Sequence, residues 1–227
     1  MSYRLMKRRL AIEHIAALVA VLVLIALCGM KFFMIETARR GGYGVETLIL
    51  IRHGEKPKGG LGQLSCMGLN RSLALPAVLI GKFGKPDYIF APDPNDRILD
   101  GAAPPYDYVR PLATIEPTAI RLGMPVDTRY GYDDIVGLQN ELTKPKYDHA
   151  VIFICWEHQC MDQFARNILQ TYGSKRSVAP HWSGSDYDSI YIIRLDHQGT
   201  KTTVTFRQDT EGLTGKLSGA CPAGTSP

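Results

Sequence analysis

The chain has 227 residues, 45% of them hydrophobic and 21% charged, a balance that excludes a disordered or fibrous protein. Its formal net charge of +4 is modest, and no basic stripe interleaved with aromatics runs along it, so composition gives no case for a nucleic-acid partner. With the two ends set aside, enough chain remains for one well-filled core.

A basic N-terminal segment, residues 1–14 with Arg4, Lys7, Arg8 and Arg9, precedes an unbroken apolar run from Ile15 to Met30. The run resumes after Lys31 as Phe32-Phe33-Met34-Ile35, so residues 15–35 approach the roughly 20 apolar residues that span a bilayer. It exceeds the apolar region of a signal peptide, and no small-x-small cleavage site follows, so an uncleaved single-pass transmembrane anchor is expected over a cleaved leader. The basic residues ahead of it favour a cytoplasmic N-terminus and a following domain on the non-cytoplasmic side, while Lys31, Arg39 and Arg40 work against that orientation. Residues 36–44, with Arg39-Arg40-Gly41-Gly42, read as a linker.

The folded domain is expected over 45–208. Its first strand, Thr47 to Ile51, has no polar alternation in Leu48-Ile49-Leu50-Ile51 and reads as buried on both faces. The pattern then predicts a loop to Gly62, a helix over Gly68–Ile80 and a strand over Tyr88–Ala91. A long loop follows, Pro92–Asp107, with four prolines and several aspartates, expected to lie over the site. A helix over Tyr108–Leu122 and a weaker one over Tyr132–Leu142 lead to a second buried strand, Ala150–Cys155. Another helix opens just after His158 and runs to Thr171. Alternating runs Ser189–Leu195 and Thr202–Phe206 suit an antiparallel pair. Residues 209–227, rich in Gly, Ser, Thr and Pro, read as a flexible tail. Strands alternating with helices imply a three-layer α/β/α sandwich. Cys66, Cys155, Cys160 and Cys221 are an even number outside the apolar run, which leaves disulfides open in an oxidising compartment. Their pairing is not readable, and Cys155 reads as a buried strand thiol.

Both buried strands end in chemistry. The first delivers Arg52, His53 and Gly54, and the second delivers Trp156, Glu157 and His158. Ligands in α/β sheets bind just outside the carboxyl ends of such strands. Arg52 brings a planar fork of donors for an oxyanion, and His53 a group that is neutral, hence nucleophilic, near neutral pH. Taken singly, each has a plainer reading: a strand leaving into a solvated loop for Arg52-His53, a core-capping histidine for His158. Two strand-end histidines together outweigh both and point to chemistry on a phosphate.

The ordered set resembles the histidine phosphatase superfamily, the phosphoglycerate mutase-like proteins. Arg52, His53 and Gly54 match its Arg-His-Gly signature, and Glu55 the glutamate that often follows. Leu64-Ser65-Cys66-Met67-Gly68-Leu69 is similar to the segment that opens the family's first helix. Pro86–Pro92 resembles its second strand, Arg110 with Thr114 its second arginine and threonine, and His158 its second histidine. Trp182 and Asp186–Tyr191 resemble the approach to its last core strand. The resemblance covers roughly 45–206 and implies a mostly parallel central sheet. It implies a phosphatase acting on phosphate monoesters, without cofactor or metal, through a phosphohistidine on His53. Arg52 and Arg110 would bind the phosphoryl oxygens, His158 would stabilise the transition state, and Glu55 and Lys56 would help bind substrate. Partners implied are a phosphorylated small molecule or a membrane-proximal phosphate ester.

For the proton donor to the leaving group, Gln159 excludes one arrangement the family uses. Glu157 is the leading candidate, with Asp93, Asp96, Asp100 and Asp107 as others. A mutase-type phosphotransferase and a tethered, non-catalytic phosphate- or partner-binding protein stay open as alternatives. A metal centre from His53, His158, Cys155 and Cys160 is disfavoured, because the two cysteines straddle His158 unlike common zinc spacing.

Overall fold

A computed structural model describes residues 43–99 and 105–222. The expected anchor and most of the linker therefore lie outside the described residues. Among those described, no helix is long and apolar enough to cross a membrane.

The elements in order are β1 (Tyr43–Arg52), α1 (Cys66–Phe83), β2 (Tyr88–Phe90), β3 (Arg97–Ile98), β4 (Tyr106–Asp107), α2 (Arg110–Leu122), α3 (Ile135–Leu142), β5 (Val151–Trp156), α4 (His158–Thr171), β6 (Ser189–Gln198) and β7 (Lys201–Thr210). Five strands form one sheet in the order β2-β5-β1-β6-β7. β2, β5 and β1 pair in parallel, and β6 turns back antiparallel to both β1 and β7. Four of the five strands thus run the same way, a mixed sheet that is mostly parallel.

Three layers follow from the two-residue period of the strands. Ile49 and Ile51 face one side, packing with Leu75 and Leu79 of α1 and Ile115 and Ala119 of α2. Leu48 and Leu50 face the other, with Leu138 and Leu142 of α3 and Phe164, Ile168 and Leu169 of α4. All four β1 residues are fully buried, which is why the run shows no polar alternation. Leu, Ile and Phe side chains of this kind each stabilise the fold by about 1.5–3 kcal/mol on burial.

Three expectations need correction. β1 begins at Tyr43, which pairs with Gln198, so the last two residues of the expected linker belong to the sheet. The long loop is not wholly irregular: β3 and β4 form a small antiparallel ribbon, tied by Arg97 Nη2 donating to Pro105 O at 2.7 Å. The tail expected from 209 onward is fastened as far as it is described. Cys221 is disulfide-bonded to Cys66, and Asn70 Nδ2 donates to Ser218 O and Ala220 O, each at 2.8 Å. Glu211 is buried against Arg71. Its small and polar composition reads as a coil because the groups that hold it are on α1, far away in sequence.

Candidate active site

In the parallel register of β1 and β5, Arg52 stands beside Trp156, and His53 N donates to Trp156 O at 3.0 Å. Both strands therefore stop at one level, and the residues that follow, His53 and Glu157-His158, leave the sheet side by side. Beyond them the chain passes closely under the start of α1. A Cβ on Gly54 would stand 2.9 Å from Gly68 O, and one on Gly68 would clash with the carbonyl of Glu55, so glycine at both places permits the crossing. Thr114 of α2 fastens this exit. Its Oγ1 accepts from Gly54 N at 2.9 Å and donates to Arg110 O at 2.8 Å.

Arg52, His53, Lys56, Arg110, Glu157 and His158 all line one cavity of ≈ 410 Å³. His53 is only 2% exposed, and Arg52 and Arg110 3% each. Burial, reinforced by the cations of Arg110 and Arg52, pushes the His53 imidazole down to about 3, against the pull of the Gly54 carbonyl. It is neutral at any ordinary pH. His53 Nδ1 lies 2.7 Å from Gly54 O, which fixes the Nδ1–H tautomer and leaves the lone pair on Nε2.

Arg52 is held from the other side by the segment before β6. Its Nη1 donates to Gly184 O at 2.7 Å and Asp186 O at 3.0 Å, and its guanidinium lies 3.7 Å from the centre of the Tyr187 ring. With Nη1 engaged, Arg52 Nε is a buried donor that no atom of the described residues satisfies. A buried, unsatisfied cationic donor is costly unless an acceptor arrives, and an oxyanion is such an acceptor.

Glu157 does not have the environment of a proton donor. It is the N-cap of α4, its Oε2 accepting from Gln159 N at 2.7 Å and Cys160 N at 3.0 Å. Its Oε1 lies against His158 Nδ1, without the alignment of a hydrogen bond. Burial works to raise its pKa, but the His158 contact and the two backbone N–H groups bring it down to about 2. Glu157 is therefore a fixed carboxylate that caps α4 and lies against His158. Asp96 accepts from Tyr132 N, Asp93 from Asn95, and Asp107 pairs with Arg97; none of the three lines the cavity. Asp100 lies outside the described residues.

Glu55 needs a second correction. Its carboxylate is taken by Arg71, with contacts of 2.7, 3.0 and 3.2 Å, and it does not line the cavity. Arg71, 1% exposed, also meets Glu211 and Asp188. Burial opposes its charge, yet Glu55 and Glu211 hold its pKa above the ordinary arginine value. Glu55 thus braces the loop after His53 against α1 and the C-terminal segment. Lys56 does line the cavity. So do Arg97, Tyr108 and Tyr132, which the sequence does not single out: Arg97 stands in the long loop, and Tyr108 and Tyr132 at the expected starts of two helices. The length of the loop was a signal for Arg97 alone. Among the described residues no group of three or more His, Cys, Asp or Glu is placed to hold a metal ion.

No protein-family model matches the chain, and no curated protein does. Among solved structures it is similar to a phosphoglycerate mutase from Plasmodium falciparum, at 15% identity over 74% of this chain and 92% of that one, with a TM-score of 0.49. It is similar to a mycobacterial glucosyl-3-phosphoglycerate phosphatase solved with inorganic phosphate, at 16% identity over 72% and 95%, TM-score 0.48. A phosphoserine phosphatase variant from Entamoeba histolytica, solved with phosphoserine, is 12% identical over 74% and 98%, TM-score 0.44.

Proposed function

We propose that this chain is a phosphatase acting on phosphate monoesters through a phosphohistidine on His53. One observation carries the reading: a buried, neutral histidine with its tautomer set, between two buried arginines in one cavity with a second strand-end histidine.

Phosphoryl transfer needs positioning and charge neutralisation more than covalent help. Arg52 and Arg110 would hold the non-bridging oxygens, with Arg52 Nε gaining the acceptor it lacks. His53 Nε2 would attack phosphorus in line as the phosphorus–oxygen bond to the leaving group breaks, while Nδ1–H stays on Gly54 O. His158, oriented by the Glu157 carboxylate, would stabilise the charge on the transferring group; one such donor is worth roughly 3–4 kcal/mol of barrier. Water would then hydrolyse the phosphohistidine. His53→Ala, assayed on p-nitrophenyl phosphate, tests the reading: turnover should vanish, and retention of it would refute the role of His53.

The placement we propose is a single-pass anchor over 15–35 with the domain on the non-cytoplasmic side, close to phosphate esters at the membrane. The Cys66–Cys221 disulfide supports an oxidising compartment, and Arg4, Lys7, Arg8 and Arg9 support a cytoplasmic N-terminus. Protease added to intact cells should digest the domain; protection until the membrane is opened would reverse the topology.

A further inference from the structure

Tyr108 is a large, buried side chain of the cavity wall without a part in the proposed chemistry. It is 1% exposed, and among the described residues no acceptor takes a hydrogen bond from its hydroxyl, which faces the Arg110 donors. A buried hydroxyl left unpaired costs stability, so such groups in native proteins call for an explanation. The residue is firmly placed. Its N donates to Asp96 O at 2.8 Å, and its ring meets Tyr132 edge-on with centroids 5.7 Å apart.

None of its described neighbours in the site accepts a hydrogen bond from it. The Arg110 guanidinium lies 4.9 Å from the ring centre and offers donors alone. His53, 6.0 Å away in a T-shaped arrangement, has its Nδ1 on Gly54 O. Arg52 Nε is a second buried donor without a partner on the same cavity. Two orphaned donors from different elements, β1 and the residue pair preceding α2, therefore border one space. The guest that satisfies both must be rich in acceptors, as a phosphoryl group is.

We propose that the Tyr108 hydroxyl donates a hydrogen bond to a non-bridging oxygen of the phosphoryl group bound in this cavity, making it a further binding residue of the site. This rests on the phosphatase reading. Burial pushes the phenol well above the ordinary tyrosine value, with Arg110 opposing, so it keeps its proton and acts as a donor rather than an acid. The unpaired hydroxyl is then a stability cost of the empty site that is relieved on binding.

The test is Tyr108→Phe, which removes one oxygen and keeps the ring. Inorganic phosphate binding is measured by calorimetry, and turnover on p-nitrophenyl phosphate beside it, in the full chain with its disulfide intact. The expected result is phosphate affinity and kcat/KM each about ten-fold lower or more, the scale of a hydrogen bond to a charged group, with a Tm equal to or above wild type. Unchanged phosphate affinity would overturn the proposal. So would a fall in Tm of several degrees, since the hydroxyl would then have a partner in the empty protein. Failure of the phosphatase reading looks different: wild type itself would neither bind phosphate nor lose turnover on His53→Ala.

Discussion

The disulfide between Cys66 and Cys221 closes a loop with a sequence separation of 155 residues, and replacing both cysteines by serine should destabilise the domain substantially. In the chain-entropy account the crosslink removes about 2.1 + 1.5R ln n cal/mol/K from the unfolded ensemble, which for this loop is about 5 kcal/mol at 25 °C. That figure is a ceiling, because Asn70 still holds Ser218 and Ala220, and Arg71 still holds Glu211, in the native state of the serine variant. For a domain of this size each kcal/mol moves Tm by roughly 2–4 °C, so the ceiling corresponds to about 10–20 °C. The assay is thermal unfolding of the oxidised wild type, the reduced wild type and Cys66→Ser/Cys221→Ser, followed by far-UV circular dichroism. Reduced wild type and the double variant should melt together, well below the oxidised protein. Three coincident melting curves would refute the idea that the C-terminal segment is clamped to α1. The cavity is lined from other elements, so phosphate binding at low temperature should survive in the variant.

Glu157→Gln should weaken turnover of alkyl and aryl phosphates by the same factor, because an ionised cap orients His158 and donates no proton; a loss confined to alkyl esters would restore the acid role. It should also cost about 1 kcal/mol of stability as a weakened helix cap, readable in urea unfolding. Acidification should lower stability through His53. Its folded value of about 3 lies below the unfolded value of about 6.5, so the unfolded chain takes the proton first. The contribution is therefore complete above pH 6.5 and is lost as pH falls towards 3, by up to roughly 1.4 kcal/mol per pH unit. His53→Asn should flatten that slope in urea midpoints, and an unchanged slope would assign it elsewhere. Glu55→Ala should destabilise the domain by about 1–3 kcal/mol, since it strips a partner from buried Arg71. It should leave phosphate affinity close to wild type, whereas a large affinity loss would return Glu55 to the binding site.

What was legible in the sequence were the elements whose function and burial leave the same mark. Leu48–Ile51 and Ile152–Cys155 are runs without polar breaks because both faces of β1 and β5 are covered, and a strand of that kind announces its own carboxyl end. Hence Arg52, His53 and His158 could be found, and their convergence follows from one register pairing, Arg52 with Trp156. Arg110 was found through the resemblance alone, since a buried arginine at the start of α2 looks no different in sequence from a solvated one. The roles of Glu55 and Glu157 were not legible. A carboxylate beside a strand-end histidine fits substrate binding, acid catalysis, capping or bracing equally well, and only the positions of Arg71, Gln159 N and Cys160 N decide. The clamped C-terminal segment was hidden for the same reason: its anchors, Cys66, Asn70 and Arg71, lie some 140–155 residues earlier.

If His53 carries the phosphoryl group between two half-reactions, a phosphoenzyme must form on it. Brief reaction of the protein with a radiolabelled activated phosphoryl donor, quenched in alkali and split between acid and base treatment, tests it directly. The expected label is stoichiometric, survives base, is lost in acid, and is absent from His53→Ala. Label that persists in His53→Ala, or turnover in wild type with no phosphoenzyme under single-turnover conditions, would contradict that role of His53.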